Sequence, residues 1–282
     1  MKTPISSVFG YRHLLEEFIG REIKGRFIGS VAGILWTLIH PIVNIGVYYF
    51  IFSMVMRIQV RIEETGTDSF FVFFLSGFFP WLMFAESLSK SVGVLIENAN
   101  LITKVVFPVE LLPAGVVLSG AVINGVGMYF FLLYLIFIGY AHLTWLYLPL
   151  LIIMQLFFIS GICYLLAALC VFIRDMREIL GIILMVWFYA TPIIYPASMI
   201  PEFLRPMIAI NPMSMFVELY RNILLIHRFS WTEFGLVGSF SAMSYIFGAW
   251  FFMRAKPAFG DNYDCAITQP CFQNIPPLCK AL

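Results

Sequence analysis

The chain alternates long apolar runs with short charged segments, and the lengths of the apolar runs predict helices that cross a membrane. A helix needs about 20 mostly apolar residues to cross the roughly 30 Å hydrocarbon core of a bilayer. Apolar runs of this kind lie at 31–56, 69–89, 111–173, 179–196 and 234–253. The third run is too long for one helix and is interrupted by Gly139, His142 and Pro149, so it predicts two spans. The pattern therefore predicts an all-α, polytopic membrane protein with six transmembrane helices.

Two shorter segments complete the predicted fold. In the segment 8–27, apolar and charged residues alternate at helical spacing, which predicts an amphipathic helix lying along the cytoplasmic interface. The segment 207–217 is apolar but too short to cross, which predicts short re-entrant or interfacial helices between spans 5 and 6. We therefore expect an interface helix in 1–30, a six-span permease domain in 31–254 and a cytoplasmic tail in 255–282.

Composition and charge restrict the class of protein and its orientation. Of the 282 residues, 61% are hydrophobic and 12% are charged, about half the charged fraction of soluble domains, which excludes a water-soluble fold. A net charge of +1 leaves no basic surplus for nucleic acid. Twelve of the 17 Lys and Arg residues fall on the side of the predicted spans that carries both termini. Because positive residues near span ends stay in the cytoplasm, we expect both termini to be cytoplasmic.

The sequence lacks the motifs that would give the chain its own energy source or chemistry. It has no phosphate-binding loop of the form G-x-x-x-x-G-K-S/T, so ATP, if used, is hydrolysed by another subunit. Glu86 is the one acidic residue within a predicted span, and its spacing from Lys90 favours an ion pair over a role in ion coupling. The histidines are dispersed, and the cysteine spacings favour neither a disulfide framework nor a metal site. We therefore expect no enzymatic site and no metal.

Several motifs together resemble a known family. They are REIKGRF at 21–27, GILW at 33–36 followed by Pro41, TPIIYP at 191–196, and NPM at 211–213 followed by Arg221. Over 8–260 the chain is similar to the type 2 permease subunits of ATP-binding-cassette transporters, and within them to the subfamily that exports bacterial surface polysaccharides. The chain departs from that family in a Cys- and Pro-containing tail that continues to Leu282.

The resemblance implies an assembly and two docking loops. It implies a homodimer that encloses a channel, with two cytoplasmic ATP-binding-cassette subunits that bind ATP and Mg, while this chain itself holds no cofactor. It also implies that the loops at 98–108 and 174–178 dock on those subunits. The docking residues expected there are Asn98, Lys104, Arg174, Asp175, Arg177 and Glu178. The alternative is that the basic residues of these loops only set the topology.

The resemblance also implies a path for the substrate. Sugar rings stack on aromatic side chains, and the aromatic residues expected to line the channel in spans 1 and 5 are Tyr48, Tyr49, Phe52, Trp187, Phe188, Tyr189 and Tyr195. The alternative for each is an ordinary interfacial belt or packing role. Lys24 and Arg26 are candidates for contact with the lipid head group, or for anchoring alone. Gly25, Gly29 and Gly33 repeat at a spacing that favours close helix packing.

These observations favour one function and leave others open. We expect the membrane subunit of an ATP-driven exporter that moves lipid-linked polysaccharide across the bacterial cytoplasmic membrane, with membrane lipids as its surroundings. O antigen, capsule and teichoic acid all remain open as the cargo. One alternative keeps the fold but exports a drug or a lipid, since fold does not decide cargo. The other is an ion-coupled carrier or a scaffold that transports nothing.

Overall fold

The structure is a computed structural model that describes residues 4–25, 35–58, 60–99, 101, 107–173, 175–257 and 259. Within these ranges the regular structure is helical, and no strand is present. The predicted all-α class is therefore confirmed. The predicted domain boundary at residue 30 and the tail residues 260–282 lie outside the described residues, so the division into three parts stays a prediction.

The helices follow the predicted order. The first half of the chain contains α1 (Pro4–Gly10), α2 (Arg12–Gly25), α3 (Leu35–Tyr49), α4 (Ile62–Thr65), α5 (Phe70–Ser91) and α6 (Val94–Glu97). The second half contains α7 (Leu111–Phe137), α8 (Leu148–Phe172), α9 (Met176–Ala190), α10 (Arg205–Ile210), α11 (Pro212–Arg221) and α12 (Trp231–Ala255). Helices α3 and α11 continue into π-helical turns at Phe50–Val55 and Asn222–Ile226. Short 3₁₀-helices occupy Leu143–Tyr147, Ala197–Met199 and Glu202–Leu204.

Among the described residues, four helical segments are long and apolar enough to cross a membrane, and they correspond to predicted spans 2, 3, 4 and 6. They are Ile62–Ser91, Leu111–Phe137, Leu143–Phe172 and Trp231–Ala255. The predicted break in the long run is confirmed, because α7 ends before Gly139, whose φ of +87° ends the helix. Predicted spans 1 and 5 correspond to the shorter helices α3 and α9, so the count of six stays a prediction.

Helix α5 lies at the centre of the core. Phe74, Phe84 and Leu88 are fully buried there. Two linked hydrogen bonds also join α5 to its neighbours α8 and α11. The Tyr220 hydroxyl donates to Gln155 Oε1 at 2.7 Å, and Gln155 Nε2 donates to the Pro80 carbonyl at 2.8 Å. Because these polar groups have hydrogen-bond partners, the core can bury them at little cost in free energy. The two hydrogen bonds fix α8 and α11 against α5.

Helices α8 and α12 approach so closely that their backbones touch. A Cβ built on Gly248 would lie 1.9 Å from the carbonyl oxygen of Gly161, and one built on Gly161 would lie 2.3 Å from the backbone of Ser244. Ser244 Oγ also donates to the carbonyl of Phe158 at 3.0 Å. Small residues four positions apart permit this kind of crossing between membrane helices.

Different helices lie at the two ends of the bundle. One end, here called the α2 end, gathers α1, α2, α6, the start of α7 and the end of α12. There Leu15 and Phe18 of α2 are buried and pack against Gly115 of α7. The opposite end, here called the α11 end, carries α4, α10, α11 and the turn after α9.

Candidate functional site

The aromatic residues predicted to line a channel meet between α3, α5 and α9. The Tyr48 ring centroid lies 5.4 Å from that of Phe188, 5.5 Å from Phe74 and 6.3 Å from Phe52. Phe188 in turn lies 5.3 Å from Tyr189. Four of the seven predicted residues therefore form one aromatic cluster. Within it Phe188 is buried, whereas Tyr189 is 55% exposed.

The other three predicted aromatic residues make separate contacts. Tyr49 packs edge-on against Phe71 at 5.9 Å. Trp187 packs edge-on against Phe84 at 5.0 Å, and its indole nitrogen donates to Asn211. The Tyr195 hydroxyl donates to the backbone carbonyl of Tyr189 at 2.7 Å. Trp187 and Tyr195 thus hold the far end of α9 in place, whereas Tyr49 packs α3 against α5.

Asn211 connects the end of α9 to the start of α11. Its Oδ1 accepts from Trp187 Nε1 at 2.8 Å and from the backbone N–H of Met213 at 3.0 Å, which makes it the N-cap of α11. Its Nδ2 donates to Thr191 Oγ1 at 3.0 Å. An Asn followed by Pro at the first helical position is a typical helix start. The NPM motif therefore begins a helix and binds it to α9.

Arg221, at the end of α11, makes the second connection to the turn after α9. Its Nη1 donates to the Pro192 carbonyl at 2.6 Å and its Nη2 donates to the Ile193 carbonyl at 2.9 Å. The guanidinium carbon lies 3.7 Å from the centroid of the Phe73 ring, in cation–π contact. The side chain is buried, and a Cβ on Gly77 would lie 3.1 Å from Nη2. Together, the Asn211 and Arg221 contacts are called the α9–α11 junction below.

Charged pairs connect the predicted docking loops at the α2 end. Arg177 Nη2 donates to Glu97 Oε1, so the first turn of α9 is joined to α6 by an ion pair. The guanidinium lies over Gly93, where a side chain would block it. Arg21 Nη2 donates to Asn98 Oδ1 at 3.2 Å, which joins α2 to the same loop. Sequence reasoning named Asn98 and Arg177 but missed Glu97.

The remaining predicted residues of this end are exposed or lie outside the described residues. Lys24, Asp175 and Glu178 are exposed. Arg26, Lys104 and Arg174 lie outside the described residues.

Glu86 accepts a hydrogen bond from Asn124 Nδ2 at 2.7 Å, and Lys90 Nζ lies 3.9 Å from Glu22 Oε2. Among the described residues, no group of three or more His, Cys, Asp or Glu side chains is placed to hold a metal ion.

Glu110, just before α7, is a further charged centre that sequence reasoning missed. Its carboxylate accepts from Ser7 Oγ at 2.8 Å and from Lys256 Nζ at 2.7 Å, and its backbone carbonyl accepts from the Tyr164 hydroxyl at 3.1 Å. Burial acts to raise the pKa of Glu110, but the hydrogen bonds from Lys256, the backbone and Ser7, together with the Lys256 charge, lower it overall. The ionised carboxylate therefore joins the start of α7 to α1 and to the end of α12, and the backbone carbonyl of the same residue joins it to α8.

We expect Glu110→Gln to weaken this junction in a pH-dependent way. Because the pKa of Glu110 is lowered in the folded chain, its stabilisation is present above the usual value of 4.5 and is lost as the pH falls through the lower folded value. At pH 7 the variant should lose about 1–2 kcal/mol, since the partly exposed lysine is screened by water. Thermal unfolding of the purified chain between pH 7 and pH 3 measures this. A difference that stays constant across that range would contradict it, and Glu202→Gln on the exposed surface is the control.

Comparisons with known proteins show which sequences this chain is similar to. The model of the family described as ABC-2 type transporter matches residues 14–225. A protein of Myxococcus xanthus named O-antigen export system permease protein RfbA is 33% identical over 231 residues, 79% of this chain and 85% of that protein. A Klebsiella pneumoniae protein of the same name is 32% identical over 220 residues, 75% and 80% of the two chains. The polysialic acid transport protein KpsM of Escherichia coli is 26% identical over 223 residues, 75% and 81%.

Proposed function

The chain belongs to the ABC-2 type transporter family, and on that premise we propose that it is the membrane subunit of an ATP-driven exporter of lipid-linked polysaccharide. The observation that carries this proposal is the similarity to O-antigen export system permeases, which extends over three quarters or more of both chains. The family model matches residues 14–225, a range that includes predicted spans 1 to 5, the α9–α11 junction and the loops of the α2 end. The location is the bacterial cytoplasmic membrane.

The proposed topology has six spans with both termini in the cytoplasm. Helix α3 and its π-helical turn run without interruption over residues 35–55, which at about 1.5 Å per residue is close to the roughly 30 Å of the bilayer core. Helix α9 has 15 residues and is the short span, with α10 and α11 re-entering the membrane after it. The α2 end then faces the cytoplasm, in agreement with its basic residues.

The proposed substrate path follows the aromatic cluster. Tyr48, Phe52, Phe188 and Tyr189 lie together between α3 and α9, and the exposed ring of Tyr189 offers a stacking surface for sugars. Tyr49, Trp187 and Tyr195, which make separate contacts, are further proposed contacts of the polymer. In a homodimer, two such surfaces would face each other across a channel. At the α2 end, the exposed Lys24 and its neighbour Arg26 would meet the phosphate of the lipid carrier.

The proposed partner is a cytoplasmic ATP-binding-cassette subunit in two copies, which supplies ATP and Mg. Its docking surface is the α2 end: the loop that begins at Asn98, with Lys104, and the segment from Arg174 through Asp175 and Arg177 to Glu178. The Glu97–Arg177 ion pair supports this proposal, because it makes one surface out of two loops that are far apart in the sequence. A movement of the partner would then reach α5, α7 and α9 together.

We expect reversal of either charge in the Glu97–Arg177 pair to weaken docking. Glu97→Arg or Arg177→Glu places like charges in contact, and we expect about threefold less ATPase to co-purify, in keeping with an exposed pair worth less than about 1 kcal/mol. The double reversal restores opposite charges and should recover most of the loss. Pull-down of the ATPase with the tagged permease measures this, with Glu63→Arg at the α11 end as control. Equal losses in the single and double variants would show that the pair itself is not the cause.

The function is tested by depleting the chain in its host. Lipid-linked polysaccharide should accumulate inside the cell while surface polysaccharide falls, and the accumulated polymer identifies the cargo. If neither changes although the chain still co-purifies with an ATPase, the polysaccharide assignment is wrong and a drug or small lipid becomes the leading cargo. If no ATPase co-purifies, an ion-coupled carrier or a scaffold is favoured instead.

A further inference from the structure

A cavity of about 500 Å³ lies at the α11 end, between the turn after α9 and the helices α10 and α11. This volume lies within the range of pockets that hold small ligands. The walls are mainly apolar and include Pro192, Ile208 and Met215. Pro192 is also held by Arg221, so the wall on that side belongs to the α9–α11 junction and is fixed in position.

Besides Ser198, three polar residues line this cavity. Ser214 is only 5% exposed, and its hydroxyl has no hydrogen-bond partner. A buried hydroxyl without a partner is unusual and is stabilised if a ligand supplies one. Arg205 and Glu218 also line the cavity and bring one positive and one negative charge. Donors and acceptors are therefore present without an excess of either charge.

The polar groups and the apolar walls together indicate which kind of ligand the cavity can bind. An anion would meet Glu218, and a cation would meet Arg205, so neither is favoured over a neutral molecule. A purely apolar ligand would leave the Ser214 hydroxyl unpaired in its buried position. A neutral polyol satisfies all three groups through its hydroxyls, and its C–H faces fit the apolar walls.

We propose that this cavity is a binding site for one sugar unit of the polymer at the outer face of the permease. The inference rests on the proposed export function and deepens it. It places a glycan contact beyond the aromatic cluster, at the turn that follows α9. Holding a sugar unit at this point would keep the emerging polymer from sliding back between transport steps.

Site-specific photo-crosslinking in the export-competent complex tests the proposal. A benzophenone amino acid is placed at Ala209, which lines the cavity, and in a matched variant at Phe203, which is exposed outside it. After illumination of cells that are exporting polymer, the purified permease is probed with a glycan stain. We expect at least about fivefold more glycan adduct at position 209 than at position 203. When Ser214→Ala and Glu218→Gln are added, the adduct at 209 should fall about fivefold, because the sugar loses one or two hydrogen bonds.

The other outcomes overturn the proposal in distinguishable ways. Equal adducts at both positions, an adduct that the double variant leaves unchanged, or an adduct that contains phospholipid in place of glycan would each show that the cavity is not a sugar site. The same holds if no adduct forms while polymer still reaches the surface. If depletion of the permease leaves surface polymer unchanged, the export function itself fails, and the cavity proposal falls with it. Glu202→Gln, on the neighbouring exposed turn, should leave the adduct at 209 unchanged.

Discussion

Replacing Arg221 with methionine is expected to abolish most export and to destabilise the permease strongly. The change leaves the carbonyls of Pro192 and Ile193 buried without their donors, at about 1–3 kcal/mol each, and removes the cation–π contact with Phe73. Because these terms are not additive, we expect a loss of about 3–5 kcal/mol in the free energy of unfolding. That is a large part of the total stability of a typical domain. Thermal unfolding of the detergent-purified chain and the amount of surface polymer measure the two effects.

Two further variants separate the geometry of Arg221 from its charge. Arg221→Lys keeps the positive charge, but its single ammonium cannot match the planar fork that meets two carbonyls and the Phe73 ring together, so we expect an intermediate loss. Arg228→Met removes an exposed positive charge a few residues away and should leave the unfolding temperature unchanged. If Arg221→Met unfolds at the temperature of the parent chain, the α9–α11 junction does not stabilise the fold as argued.

Arg221 also shows where sequence reasoning stops. A positive charge between two apolar segments is typical of a loop residue that sets topology, because the sequence gives no sign of how deeply a side chain lies. In the structure the same residue is buried, since the end of α9 runs through two prolines and leaves carbonyls without helical partners. Asn211 was more predictable, because an Asn before a Pro carries a local helix-start signal. Its bond to Trp187 is not local and could not be predicted.

The spans could be predicted from the sequence, whereas the charged pairs could not. Run length and the break around Gly139 predict α5, α7, α8 and α12, because a bilayer imposes a length on every crossing helix. The Glu97–Arg177 and Glu110–Lys256 pairs join residues 80 and 146 positions apart, and only the folded arrangement brings them together. For the aromatic cluster, residue type predicted the region, but which rings are buried depends on packing: Phe188 is enclosed, and its neighbour Tyr189 is not.

Small residues give the clearest contrast between pattern and packing. Gly25, Gly29 and Gly33 have the regular spacing that favours helix packing, but Gly29 and Gly33 lie outside the described residues, and a Cβ on Gly25 would meet nothing within 4 Å. The close approach in the structure is at Gly161 and Gly248 instead. Ser244 and Gly248 do have the four-residue spacing of small residues that permits helix contact, and this signal could have found the site.

Gly248→Leu is accordingly expected to prevent α8 and α12 from packing. Even a Cβ at this position would lie 1.9 Å from the Gly161 carbonyl oxygen, and backbone atoms cannot move aside as a flexible side chain can. We expect a loss of more than about 3 kcal/mol, the upper end of overpacking, and little or no monodisperse protein on size-exclusion chromatography. Gly248→Ala should be intermediate, since it requires the same backbone shift for a smaller group.

Gly235 provides the matched control, because it lies on the same helix and a Cβ there would meet nothing within 4 Å. Gly235→Leu adds the same apolar side chain to α12, changes hydrophobicity and helix propensity equally, and should leave folding and surface polymer close to the parent values. The two leucine variants therefore differ only in the contact with α8. If Gly248→Leu and Gly235→Leu yield equal amounts of folded permease, the backbone contact at Gly161 is not required, and the packing of α12 must depend on its other side chains.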